Sequence, residues 1–343
     1  IFGWIAWTNL PIEAFPDVQD VQVQIVTQAT GLAPEEVERS VTLPLEREMG
    51  GVPRMTQLRS VSITGLSIIT LTFADNTDDY FARQQVIEKI HNANLPVGIQ
   101  PGIAPLTNAV GEVYRYVLDV PPEMSPQEVR ALQDWTIRPA LRTVPGIADV
   151  VSFGGEIKEY QVRIKPDALR KFNVSIDQVA AAVTANSANS GGGLLQRGDE
   201  ALVIRGIGLL QSLDDIACIS IVTRNGHPIL ISDVAEVAIG ARPRSGMVAF
   251  NEHDNVVQGI VQMTKGQNAT KVVADLKEKI AQLDHKLPKG VKLVPYYDRT
   301  DLVKHTVHTV VENLLVGAFL VVTILVIFSR HWQAALALPV VIP

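Results

Sequence analysis

Cysteine is almost missing from this chain of 343 residues. Cys218 stands alone, so neither an internal disulfide framework nor a multi-cysteine zinc or iron-sulfur cluster can form. An excess of basic charge is lacking too. Lys and Arg total 30 against 36 Asp and Glu, a net charge of -6, and such a balance argues against a nucleic-acid surface. Aromatics are sparse at 6%, and the five methionines, Met49, Met55, Met124, Met247 and Met263, are scattered. No thioether ladder for a soft metal follows from them; core filling is their simplest role. Enzyme signatures are absent: there is no P-loop, dinucleotide fingerprint, HExxH helix or GxSxG elbow. Gly191, Gly192 and Gly193 lack the strand and helix context of a phosphate cradle, and Ser190 to Gly193 reads as a flexible loop. The chain is therefore not expected to be an enzyme.

What is present points to a folded chain of about two domains, with 47% apolar and 19% charged residues. Its ends are the most apolar parts. Leu314 to Phe328 carry no charge, and a polar break at Ser329 to Gln333 leads into a second apolar run from Ala334 to Pro343. A membrane span needs about 20 mostly apolar residues, so a transmembrane hairpin is expected, with a helix over 309–328 and the start of another at 334–343. Arg330 and His331 make the link a positive loop, which the positive-inside tendency places in the cytoplasm, and Trp332 suits the interfacial belt. Residues 1–10 read as the end of an earlier span, since Phe2, Trp4, Ile5 and Trp7 precede Pro11 without a charge. The chain is accordingly expected to be a piece of a longer polytopic membrane protein. A large domain from Pro11 to about Thr300 then faces away from the cytoplasm.

Inside that domain the sequence repeats. Pro34, Glu36, Val37, Val52, Pro53 and Ser60 recur as Pro126, Glu128, Val129, Val144, Pro145 and Ser152, all 92 residues on. A second echo, Glu88-Lys89-Ile90 with Leu95-Pro96 against Glu278-Lys279-Ile280 with Leu287-Pro288, is 190 to 192 residues apart. The second copy thus carries an insertion of about 98 residues. Val21, Val23 and Ile25 alternate as in a half-buried strand, while Val37, Val41, Leu45 and Met49 repeat every four residues as one helix face. Ser60 to Ile63 and Leu66 to Phe73 form a strand pair broken at Gly65, and Asp78 to Asn94 reads as a helix. The second copy begins with a strand at Tyr114, Tyr116 and Leu118 and a helix over Val129 to Val144 that includes Pro139. Val272, Val273, Leu276, Ile280, Leu283 and Leu287 give its second helix. The order strand, helix, strand, strand, helix, strand is that of split βαβ, ferredoxin-like domains. The expected fold class is α+β: tandem ferredoxin-like subdomains, an inserted α+β module with a helix at Ile176 to Val183, and flanking transmembrane helices. One large α/β domain with accidental echoes is the alternative.

Several segments resemble the resistance-nodulation-division efflux pumps, and more narrowly their heavy-metal branch of the cobalt-zinc-cadmium and copper-silver type. They are Val41-Thr42-Leu43-Pro44-Leu45-Glu46, Leu132-Gln133-Asp134-Trp135 with Arg138-Pro139, Gly154-Gly155 with Lys158-Glu159-Tyr160-Gln161-Val162, and Tyr297-Asp298-Arg299-Thr300. The resemblance spans the whole chain but about the first third of such a pump. It implies a first porter subdomain at 11–109, a second at 110–159 and 246–300, and a docking subdomain at 160–245. It further implies a homotrimer in the bacterial inner membrane, with the large domain in the periplasm, bound to a periplasmic adaptor and an outer-membrane channel. The work would be export of a metal cation driven by the proton gradient, with no resident cofactor. The proton-relay acids and most metal ligands of such pumps belong to later parts. The Ser190 to Gly193 loop would be a trimer contact.

Few residues here are candidate ligands. Gly111-Glu112-Val113-Tyr114 resembles the opening of the second porter subdomain in divalent-cation members, which implies that the Glu112 carboxylate contributes to a metal site. Oxygen donors suit zinc or cobalt better than monovalent copper. A glutamate heading a strand is also simply a solvated surface group. Asp301, His305, His308 and Glu312, spaced four, three and four apart, share one helical face. Imidazole and carboxylate so placed can hold a divalent ion, and a polar stripe nearing lipid headgroups explains them equally. His253, between Glu252 and Asp254, reads as a solvated turn. Two other functions stay open. A membrane-anchored sensor or chemoreceptor is disfavoured by the apolar run from Ala334, where a polar or heptad-patterned segment should follow. A multidrug exporter of the same superfamily should be richer in aromatics.

Overall fold

The computed structural model describes residues 19–107, 111–188, 190–197, 200–206, 208–224, 226–244 and 246–329. The expected spans at 1–10 and 334–343 lie outside them. The described residues fall into two compact units, one within 1–121, 133–153 and 258–343, the other within 122–132 and 154–257.

The first unit opens with β1 (Gln22–Gln28), whose Val23, Ile25 and Thr27 are buried while Gln24 and Val26 between them are not. A helical stretch follows as α1 (Pro34–Val37), a π-helical turn (Glu38–Thr42) and α2 (Leu43–Met49). The wide turn has a local cause: Pro44 offers no N–H, and its ring would strike the carbonyl four residues back in a regular helix. Val37, Val41, Leu45 and Met49 are all fully buried, the stripe their spacing predicts. Then come β2 (Met55–Ile63), β3 (Leu66–Phe73), α3 (Asp79–Ile90) and β4 (Pro101–Ile103). Asp78 caps α3, its Oδ1 accepting from the Phe81 N–H at 2.8 Å. The helix ends at Ile90, four residues short of the expected Asn94. The sheet order is β2-β3-β1-β4, and Ile25 stands opposite Ile69 on one side and Ile103 on the other.

The pattern returns with β5 (Glu112–Asp119), α4 (Pro126–Leu132), a second π-helical turn (Gln133–Ile137), α5 (Arg138–Leu141) and β6 (Ile147–Phe153). Pro139 follows this turn as Pro44 follows the first, so the same steric cause applies and the expected Val129 to Val144 helix is interrupted. The insertion contributes β7 (Lys158–Ile164), α6 (Pro166–Phe172), α7 (Ile176–Ala185), β8 (Ser190–Arg197), β9 (Glu200–Gly206), α8 (Leu213–Ala217), β10 (Ser220–Arg224), β11 (His227–Leu230), α9 (Ile231–Val234) and β12 (Ala235–Ala241). With α4 these make the second unit, which has its own core around Leu169, Val179, Ile231 and Val234. Ser190 to Gly193, expected as a flexible loop, is instead the start of β8, paired with β9 from Ser190 opposite Gly206. Its glycines coincide with the register shift between Gly191 and Leu194, where a bulge tolerates residues without side chains. His253 is exposed in a short bridge with Phe250.

The chain then returns to the first unit with β13 (Gln258–Met263), α10 (Ala269–Asp284) and β14 (Lys292–Asp298). The second sheet has the order β14-β5-β13-β6, the first sheet's order with each strand replaced by its repeat counterpart. Asn268 caps α10 by accepting from Thr270 and Lys271 N–H groups, and Val272, Val273, Leu276 and Leu283 are buried. Last comes α11 (Arg299–Ser329), ten residues longer at its start than the expected 309–328. Its stretch Arg299–Ile324 contains an 18-residue window of mean hydropathy 1.9 and is long and apolar enough to cross a membrane. Its first turns are buried at Arg299, Thr300 and Val303, whereas Leu314 is 65% and Phe319 70% exposed, so the apolar stretch packs into no core among the described residues.

Candidate functional site

Glu112 is the first residue of β5. There Glu112, Val113 and Tyr114 face only two residues of β13, Gln262 and Val261, so β5 carries an extra residue. The bulge changes which side successive residues face, and it lets Glu112 meet Arg115, three positions on, which a regular period of two would put on the opposite face. Arg115 Nε donates to Glu112 Oε2 at 2.9 Å, and Nη2 donates to the same oxygen. The guanidinium also lies 5.6 Å from the Tyr297 ring centroid. The hydrogen bond to Glu112 raises the Arg115 pKa further above its ordinary value. A carboxylate held this way is already neutralised. The guanidinium competes with a divalent cation for Oε2, because a metal site of oxygen donors depends on their negative charge.

Asp298 ends β14, immediately before α11. Its Oδ1 accepts from the Thr300 N–H at 2.9 Å and from the Thr300 hydroxyl at 2.7 Å, and its Oδ2 pairs with Lys277 of α10. Burial pushes the Asp298 pKa up, but the hydrogen bonds from Lys277 and Thr300 outweigh it and the net shift is downward. The partner Lys277 is raised by the same bond. This carboxylate anchors the long helix to the sheet; the Asp-Arg-Thr spacing is the sequence signal of such a cap.

Two of the family-resembling segments each place a buried polar side chain against a sheet. Gln133 is fully buried in the second π-helical turn, where its Oε1 accepts from the Tyr116 hydroxyl at 3.1 Å and its Nε2 donates to Ser152 at 3.3 Å. Burial raises the Tyr116 pKa strongly, so the phenol stays a neutral donor. In the first repeat a different residue, Thr42, carries a buried polar contact to the sheet, its hydroxyl 2.8 Å from both Ser62 and Ser67. Trp135, by contrast, is 82% exposed.

Asp301, His305, His308 and Glu312 all lie exposed along α11, and Asp301 is 3.8 Å from Lys304. Among the described residues no three His, Cys, Asp or Glu side chains converge on a point where a metal ion can sit. Arg115, Gln133 and Lys277 were not singled out from the sequence. Only Gln133 lay within a noticed motif.

Two duplicated four-stranded sheets, an inserted second unit and one long exposed apolar helix define a mixed α/β protein with a candidate membrane segment. The chain matches the AcrB/AcrD/AcrF family over residues 1–343 and belongs to it, on the heavy-metal branch of the resistance-nodulation-division pumps. It is 39% identical over 351 residues to the cation efflux system protein CzcA of Alcaligenes sp. (strain CT14), covering 99% of this chain and 33% of that protein. To the cation efflux system protein CusA of Escherichia coli (strain K12) it is 36% identical over 346 residues, again covering 99% and 33%. Among solved structures it is similar to a heavy metal efflux pump, crystal form I, with a TM-score of 0.90 and 41% identity over 99% of this chain and 34% of that one. The chain thus spans about a third of the length of these relatives.

Proposed function

We propose that this chain is the first periplasmic portion, with adjoining membrane segment, of a proton-driven exporter of divalent heavy-metal ions in the bacterial inner membrane. The observation that carries the reading is the 39% identity to a cation efflux protein over nearly the whole chain. The exposed apolar α11 supports a membrane setting, because a helix with this much unburied leucine and phenylalanine has no stable place in water. We read each four-stranded sheet with its two helices as a split βαβ porter subdomain, 11–109 and 110–159 with 246–300, and 160–245 as a docking subdomain. The helix over 309–328 is then the second span and 334–343 starts the third. The assembly is a homotrimer joined to a periplasmic adaptor and an outer-membrane channel, with no resident cofactor. Glu112 contributes one cargo-ligand oxygen once Arg115 moves aside, while His305, His308 and Glu312 form a polar stripe near the headgroups.

The test is made on the full-length protein that contains this chain. Expressed in a metal-sensitive bacterium, it is expected to raise tolerance to zinc, cobalt or cadmium, and in proteoliposomes to move one of these ions only under an imposed pH gradient. Tolerance to dyes and detergents without any change toward metals overturns the reading in favour of a drug exporter.

A further inference from the structure

Between β1, α3, the segment 104–107 and β13 the first unit holds a cavity of about 310 Å³ whose walls are mostly amide and guanidinium groups. Gln19, Gln22 and Gln24 come from the first repeat and Gln262 from the second. Arg83 enters from α3, with Nη1 donating to the Ala104 carbonyl at 2.7 Å. The Ala104 N–H in turn donates to the Gln24 carbonyl at 2.9 Å, so the wall is tied down. Gln19 Nε2 donates to Gln22 Oε1 at 3.5 Å, whereas the Gln24 and Gln262 amides hydrogen-bond to no described residue. The nearby carboxylate, Asp79, is occupied 3.5 Å from Lys265 Nζ. Lys265 is also fixed by its N–H, which donates to the Leu106 carbonyl at 3.2 Å.

Among the described residues that line the cavity, Arg83 carries the one charge. A guanidinium only donates, and it repels cations. Burial pulls the Arg83 pKa down, opposed by Tyr80 and Asp79, so this cation is under-solvated and gains from an anion beside it. We propose that the cavity binds a small oxyanion, a carboxylate or a phosphate, held by Arg83 with the side-chain amides of Gln24 and Gln262. The volume, roughly that of ten liquid waters, takes an anion up to the size of citrate. This site is independent of the export reading and stands if that reading fails.

The experiment is a titration of the full-length protein that contains this chain, in detergent, with citrate and separately with inorganic phosphate, at ionic strength held constant with chloride. Saturable binding of at least one anion is expected, weakened about tenfold or more in Arg83→Gln, as loss of a charge-assisted hydrogen bond implies. Because Arg83 also braces Ala104, the double variant Gln24→Leu/Gln262→Leu provides a second reading in a chain whose brace is intact, and a weaker loss is expected there. Two results overturn the proposal: no saturation by either anion, or parental affinity in the double variant. Zinc chloride that binds the cavity and is lost with Gln262→Leu also overturns it.

Discussion

The Tyr116 ring occupies the space directly over Gly259, its opposed neighbour across β5 and β13, and a Cβ at Gly259 would overlap ring carbons and the hydroxyl. The glycine is what admits the tyrosine, and the tyrosine in turn reaches Gln133. Gly259→Ala is therefore expected to destabilise the chain by about 1–3 kcal/mol through overpacking. Tyr116→Leu/Gly259→Ala should lose less than the sum of the two single changes, because they share one contact. Urea unfolding of the four chains measures this, and strict additivity would show that the pair is not coupled.

Thr42 sets the polar centre of the first repeat. It is buried with Ser67, and Thr42→Val removes the hydroxyl partner 2.8 Å from the Ser67 oxygen. A loss of about 1–3 kcal/mol is expected for the stranded group, whereas Thr42→Ser keeps the bond and should lose less. The two variants are compared by denaturation midpoint at unchanged slope.

Acid should loosen the junction between β14 and α11. The Asp298 pKa lies below its ordinary value, so this carboxylate contributes stability above the unfolded Asp value of about 3.9 and loses it as pH falls through the lower folded value. In Asp298→Asn the acid limb of the melting-temperature profile is expected to flatten, with the neutral-pH value lowered. A parallel downward displacement with the acid limb unchanged argues against this group.

Metal binding should reveal the competition at Glu112. The chain as it stands is expected to bind zinc or cobalt weakly, since Arg115 already holds the carboxylate oxygen. Arg115→Leu should tighten binding, and Glu112→Ala in that background should abolish the gain. Calorimetric affinities equal in all three chains would remove Glu112 from any metal site.

Much of the fold was legible because it rests on local periodicity. The four-residue stripe from Val37 to Met49 and the alternation at Val23 and Ile25 each state a face that must be buried, and the offset of 92 residues exposes the duplication. The glycine run misled, since Gly191 to Gly193 carry a compositional signal of flexibility while their pairing with β9 is a non-local fact. The π-helical turns were hidden as well, although Pro44 and Pro139 mark where each must fall.

From sequence alone came the repeat, the interruption of its second copy, the apolar helix and the family resemblance, because each is written in the order and period of residue types along one line. Only the tertiary structure decided that Arg115 claims Glu112, that Gln133 is a buried link between Tyr116 and Ser152, and that four glutamines gather beside Arg83. Those relations depend on a bulge in β5 and on strands brought together across the inserted unit. Strand registry of that kind is set by packing between distant segments, where no local pattern records it.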